Sequence, residues 1–485
     1  MLRILGMTDL VAHFKLQFEF LPLLQKIKNF RGRHLVFSVL YYYKLYAYDA
    51  DKEAFPLKYW RGYLTAGILG VFAWLLMQFG KTHTELVDMF YPYVTRLIQG
   101  SLARWSGGTE ELLWQLVLVM LAVVVLATVV LMIILKWNPI QWLGWVLAVV
   151  SVFLLLNVGV YGLNDYAGPL AEDIKLEMTD YTMDQLQEAT KYFQKRANAL
   201  AEVVKRDDKG DPLVPSFEES VELANGGYLE LTYTHHIPIF YGTAMVTDEV
   251  NWTQWKSLPI KKLGWTDYYT SVGTLLIHTP MTGEIAVNPN TPGIALPFVM
   301  CKGMANRLSI ANDGDAEFAA FMACTASSSR AFQYSGFFMA YRSCKEALAS
   351  MPGDQAKQAL AALNAGENDD LTKDLERYEQ FFVENRDEEA MARLETIRNF
   401  WDDLSYNVRD FLEIEKLSVE TDAFYDILVN WHLQEIVLPT VIPEEEENPF
   451  DPYYEDYING LVDLNGDPIE PPTEPEETTG STEEE

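Results

Sequence analysis

The sequence is poor in positive charge and in cysteine. Its 485 residues hold 37 Lys and Arg against 69 Asp and Glu, a formal net charge of -32. That balance excludes nucleic acid as a partner, because phosphate binding needs clustered Lys and Arg. Three cysteines, Cys301, Cys324 and Cys344, are too few for a disulfide scaffold. They read as buried thiols, with a Cys301–Cys324 disulfide left open. No Gly-rich phosphate loop is present. Ser309 and Ser327–Ser329 lack a nucleophile-elbow context, and Gly226-Gly227 reads only as a turn signal. The start, MLRILGMTDLVAHFKLQFEF, lacks the apolar core and small-residue cleavage site of a signal peptide.

Long apolar runs, by contrast, crowd the first third. Tyr63–Gly80, Leu112–Leu135 and Ile140–Leu163 are each long enough to cross a hydrocarbon core of about 30 Å. Leu35–Tyr48 is aromatic but short and broken by Lys44, which suits an interfacial or buried helix better than a fourth span. Basic residues set the expected orientation. Residues 1–61 carry ten Lys and Arg, the Lys81–Glu111 loop three, and the turn after the second run only Lys136. The N-terminus is therefore expected inside and everything after Leu163 outside the cytoplasm.

The division that follows is a cytoplasmic segment 1–62, a three-span membrane region 63–163, an extracytoplasmic domain 164–442 and an acidic tail 443–485. Thr182-Met-Asp-Gln185 has the pattern of a capping box opening a helix that runs to about Lys205. Tyr228–Thr247 and Thr274–Val287 are rich in Thr, Tyr, Ile and Val and read as a small sheet. Leu296 to about Leu438 reads as helix almost throughout. The fold class is mostly α: three transmembrane helices plus an extracytoplasmic α+β domain. The tail holds sixteen acidic residues and no Lys or Arg, a composition expected to be disordered. Asp463–Asp467 hints at a calcium loop without its ligand spacing.

The segment VDMFYPYVTRLIQGSLARWSGGTEELLWQLVL (Val87–Leu118), then LNDYAGPLAEDIKLEMTDYTMDQL and ANALAEVV, then His278–Ser343, resemble in order the bacterial domain-of-unknown-function family 3810. The resemblance implies a three-span protein whose outer domain is zincin-like, related to zinc metallopeptidases of the gluzincin type. In that family the helix after a Leu-Pro-Phe turn carries His-Glu-x-x-His, and a later helix supplies a Glu. Two His at i and i+4 share a helix face and can reach one zinc, and the Glu between them serves as base.

Aligned on LPFVMCKGMAN, those positions fall here on Lys302, Gly303 and Asn306, with the third ligand on Asp315. Lys302 has donors but no lone pair while charged. Gly303 has no side chain to act as base, and Asn306 offers only a neutral amide oxygen. Lys302 and Asp315 are expected to pair where the metal once sat. No catalytic residue, cofactor or metal is expected, and the resemblance implies a membrane-anchored pseudopeptidase. It would bind an extended peptide or envelope protein by strand addition in a residual cleft beside Gly283–Asn288. Two alternatives remain. One is an active zinc metallopeptidase with displaced ligands, drawn from His278, Asp315 and one of His235 and His236. The other is a structural or assembly membrane protein. His13, His34, His83 and His432 read as ordinary polar or core residues. The acid excess suits a Gram-positive surface.

Overall fold

The computed structural model describes residues 57–233, 244–246, 255–411 and 422–434. His13, His34, Leu35–Tyr48, His235, His236 and the tail from Pro443 on lie outside the described residues. The chain forms two compact units, residues 1–74 with 118–155, and residues 75–117 with 156–485.

Helices α1 (Leu57–Thr82), α3 (Leu113–Leu135) and α4 (Pro139–Val160) are long and apolar enough to cross a membrane. None of the residues of α3 is buried, as expected of a helix apolar on every side. Within the first unit the Tyr63 hydroxyl of α1 donates to the Ile140 carbonyl of α4 at 2.8 Å. The chain is mostly helical, and its three apolar helices are consistent with a multi-pass membrane protein.

In the second unit the loop between the first two spans is itself a helix, α2 (Thr84–Ser106). After α4 come a 3-10 turn, Gly162–Tyr166, and the short α5 (Leu170–Asp173). Next are α6 (Met183–Val203) and α7 (Phe217–Tyr233). The capping box is present at α6: Thr182 Oγ1 accepts from Gln185 N at 3.3 Å, and Thr182 N donates to Gln185 Oε1 at 2.8 Å.

Strands β1 (Ala244–Val246) and β2 (Trp255–Ser257) form an antiparallel pair. Then follow β3 (Lys261–Lys262), α8 (Thr266–Ser271), β4 (Leu276–Thr279) and β5 (Glu284–Val287). The rest is α9 (Leu296–Arg307), α10 (Asp313–Ala326), α11 (Arg330–Ser350), α12 (Asp354–Ala365), α13 (Asp369–Asn385), α14 (Glu388–Phe411) and α15 (Phe424–Leu433).

Two sequence readings are corrected here. Tyr228–Tyr233 is the end of α7 and not strand. Ala224, Tyr228 and Leu231, at i, i+4 and i+7, are all fully buried, so a helical period prevails over the β-prone composition. Gly226-Gly227 is inside that helix. A Cβ on Gly227 would lie 2.1 Å from the Ala323 carbonyl oxygen, so the glycine permits close approach to α10.

The core of this unit is aromatic. Phe193 of α6 meets Phe321 of α10 edge-on and stacks on Trp431 of α15, and Phe321 meets Phe337 of α11. Cys301, Cys324 and Cys344 are free and buried. The Cys301 and Cys324 sulfurs stand 3.6 Å apart, well beyond the roughly 2.05 Å of a disulfide.

The three-stranded sheet is ordered β3-β5-β4, with β5 parallel to β3 and antiparallel to β4. Gly283, at φ +65°, makes the turn into β5. β5 is thus an inner strand, paired to β4 along its length and to β3 at Ala286 and Val287. An extended peptide adding beside Gly283–Asn288 would therefore meet β3 or β4, the edge strands of this sheet, and not an open side of β5 at Ala286 and Val287. All four residues of β5 are buried and alternate between faces.

Glu284 and Ala286 share the side of Lys261. Lys261 Nζ lies 2.7 Å from Glu284 Oε1 and donates to the carbonyls of Ser106 at 2.9 Å and Glu111 at 2.6 Å. The same carboxylate accepts from the backbone N–H groups of Leu113 (2.9 Å) and Trp114 (3.0 Å), the first residues of α3. A carboxylate at a helix N-terminus is favoured by the unpaired N–H groups there.

With exposures of 6% and 0%, neither partner can fall back on water. Lys261→Ala is expected to destabilise the protein by about 3–5 kcal/mol by stranding Glu284. The check is a lowered Tm in detergent, and an unchanged Tm would contradict it.

Candidate functional site

The site begins on the opposite face of the same sheet. His278 faces Ile285 across the β4–β5 ladder, and Leu276 faces Val287. These four side chains lie on one side, toward α9. Gly303 of α9 meets them. A Cβ there would lie 2.6 Å from Ile285 Cγ2 and 2.9 Å from Leu276 Cδ1. Both values are below any van der Waals contact between carbons. Ile285 is fully buried and β-branched, so its Cγ2 cannot swing aside. The place where a side chain at 303 would project is occupied by packed hydrocarbon.

The expected Lys302–Asp315 pair does not form. Lys302 Nζ sits 2.7 Å from Asp313 Oδ1 and 2.9 Å from Glu317 Oε1. Helical period explains the choice. Asp313 and Glu317, four apart on α10, share a face, and Asp315 between them is rotated away by about 200°. Burial works to lower the Lys302 pKa, but Glu317 and Asp313 outweigh it and raise it. The ammonium is held charged.

Asn306 uses its backbone carbonyl to accept the Tyr161 hydroxyl at 2.7 Å. The Tyr161 ring stands edge-on to His278, centroids 5.0 Å apart. His278 Nε2 is 3.3 Å from Gln99 Oε1 of α2. Burial, with the Arg307 guanidinium adding to it, lowers the His278 pKa to about 3 and keeps the ring neutral. Among the described residues no three His, Cys, Asp or Glu side chains converge to hold a metal ion. His235 and His236 lie outside those residues.

Asp315 belongs to a different feature, a cleft of about 640 Å³ in the second unit. Its walls come from α2, the segment from Asn164 to Asp173, the stretch Leu308–Asp315 and Asp422. Six aspartates line it (Asp88, Asp165, Asp173, Asp313, Asp315 and Asp422) against one basic residue, Arg96. Two of its side chains are more than nine-tenths buried with polar atoms that have no partner. They are Asn164, at both amide atoms, and Asp315, at Oδ1. Buried polar groups are ordinarily paired, so these atoms, buried beneath the cleft lining, are hydrogen-bonding capacity that the fold itself leaves unused.

Desolvation raises Asp315 to about 6, with Asp422 and Asp173 adding to it against a hydrogen bond from the Leu170 backbone. Desolvation likewise raises Asp173 to about 6. Asp88 reinforces that shift and Arg96 opposes it.

Of the four sequence-derived positions, then, Lys302, Gly303 and Asn306 line one side of α9's surroundings, and Asp315 faces the cleft. The sequence reading missed Glu317, Tyr161, Asn164 and Asp173. The i+4 relation of Asp313 and Glu317 was available as a signal. So was the polar Asn-Asp pair directly after an apolar span.

Set against known proteins, residues 87–396 match the model of a family described as protein of unknown function, DUF3810. No curated protein and no solved structure matches the chain.

The raised Asp315 carboxyl makes stability depend on pH. It remains protonated in the fold up to about pH 6, while the unfolded chain ionises near pH 4. Stability therefore falls as pH rises from about 4 to 6 and stays lower above. Asp315→Asn mimics the protonated form. It is expected to leave Tm nearly unchanged at pH 4 and to raise stability by about 2–3 kcal/mol at pH 7.5. Equal shifts at both pH values would contradict this.

Proposed function

The chain belongs to the DUF3810 family, and from that footing we propose that it is a membrane-anchored pseudopeptidase. Its zincin-like outer domain lacks zinc ligands and general base, and works by binding. The observation that carries this reading is Gly303. At the place the resemblance gives to the base, Ile285 and Leu276 fill the space a carboxylate would need. Lys302, at the place of the first ligand, puts a positive charge there and is held by Asp313 and Glu317. A cation fixed beside the position repels a metal ion. Asn306 engages through its backbone.

A protein that binds needs a seat, and the acidic cleft supplies one. Its volume is in the range of ligand sites. Six carboxylates, of which only Asp313 is taken up by Lys302, lie around a single Arg and favour a cationic occupant, and spread carboxylates suit an organic ammonium or guanidinium better than a bare ion. The Asn164 amide, buried beneath the lining with donor and acceptor both unpaired, offers a peptide unit one partner of each kind once the lining opens. The ligand is therefore a peptide carrying a basic side chain or a free amino terminus. The ten Lys and Arg of residues 1–61 against three in the Lys81–Glu111 loop support an extracytoplasmic position for this domain.

Purified full-length protein is expected to carry no stoichiometric zinc and to bind trilysine saturably in isothermal titration. Asp315→Asn and Asn164→Leu should each weaken that binding several-fold. Tightly held zinc that is lost in His278→Ala or Asp315→Ala would overturn the pseudopeptidase. Absence of saturable trilysine binding would instead overturn the cleft as the seat. Ser481→Cys is expected to react with a membrane-impermeant maleimide in intact cells, and protection there would reverse the orientation.

A further inference from the structure

Helix α2 inverts the usual rule for a helix packed on a domain. Its buried positions are mostly small or polar: Thr95, Gln99, Gly100, Ala103 and Ser106, with Val87 and Pro92. Two of them are tied to other elements by hydrogen bonds. Gln99 Nε2 donates to the Pro280 carbonyl at 2.9 Å, and Ser309 Oγ donates to the Pro92 carbonyl at 3.1 Å.

The large apolar residues point the other way. Leu86, Met89, Phe90, Tyr93, Val94 and Leu97 are exposed, Leu97 at 74%. Their spacing, i, i+3, i+4, i+7, i+8 and i+11, places them on one face. Trp105 continues it at 71% exposure. Met89 and Tyr93 at one edge of the ridge, with Arg96 on its flank and Asp88 and Pro92 further in, line the cleft. A ridge of this length and character, facing outward, has a partner.

The chain itself says which. One residue, His83, separates α2 from α1, and Gly107–Leu112 separate it from α3. Both neighbours are long and apolar enough to span a membrane. Six extended residues reach only about 20 Å, so the ridge cannot be far from the surface of the bilayer those helices cross. Tyr and Trp on the ridge and Arg104 near its end are the residue types of an interfacial helix.

We propose that α2 lies in the interfacial layer of the bilayer, with its Leu86–Leu97 ridge among the lipid acyl chains. The protein then holds the membrane by three spans and by one helix lying along it. One wall of the acidic cleft is the flank of that helix, so the cleft opens at the lipid surface.

The test uses full-length protein in phosphatidylcholine–phosphatidylglycerol vesicles, with an environment-sensitive NBD label on a single introduced cysteine. Leu97→Cys and Phe90→Cys report on the ridge, and Val383→Cys, an exposed site on α13, is the control. The ridge labels are expected to emit further to the blue than the control. They should be quenched several-fold more by lipids carrying doxyl groups on their acyl chains, and several-fold less by aqueous iodide. Iodide quenching equal to that of Val383→Cys would overturn the proposal. Protection from both iodide and doxyl lipid would overturn it as well, because a protein surface would then cover the ridge.

Discussion

A charged side chain with no access to water dictates much of the second unit. Glu284 sits on an inner strand with no exposed surface, and an isolated carboxylate in that position would be prohibitive. It is tolerable because Lys261 and two helix N-terminal N–H groups converge on it. That requirement fixes the register of β5, since a slip of one residue would turn Glu284 to the other face. With Glu284 and Ala286 committed to one side, Ile285 and Val287 must face α9. The hydrocarbon packed on Gly303 is thus a consequence of where a charge had to go. Lys261 also gathers the carbonyls of Ser106 and Glu111, so the end of α2 and the start of α3 are held by the same cluster.

The parts legible in the sequence are those set by near neighbours along the chain. The three spans follow from continuous apolar runs, the α6 start from Thr182 and Gln185, and the β4–β5 hairpin from Thr274–Val287. Tyr228–Tyr233 misled because its residue types favour strand while its burial follows a helical period. Lys302 was assigned the wrong partner because distance in sequence was weighed and helical phase was not. The cleft was not legible at all. Its aspartates come from four separated segments, and nothing local to Asp88, Asp173 or Asp422 announces that they meet. The unpaired atoms of Asn164 are likewise a property of the assembled fold.

The two regions handle charge in contrasting ways. Around α9, the charged side chains are satisfied by hydrogen bonds. Lys302 has two carboxylates, and Arg307 gives its guanidinium to the carbonyls of Pro259 and Leu258. The cleft keeps carboxylates in excess and accepts raised pKa values at Asp315 and Asp173 as the result. Strain of this kind is relieved when a cation arrives, which is how a site stores affinity for one. The proposed function puts binding in the region where carboxylates outnumber cations.

Gly303 has one more consequence, for the sequences reachable from this one. Any residue with a Cβ at 303 meets Ile285 Cγ2, so no single replacement there is accommodated in place. A carboxylate at 303 can settle only if residue 285 shrinks first, and a smaller residue at 285 alone leaves a cavity in a fully buried contact. Each step is unfavourable without the other. The contact acts as an epistatic lock: drift at either position is held in check by its neighbour, and the pair changes together or not at all.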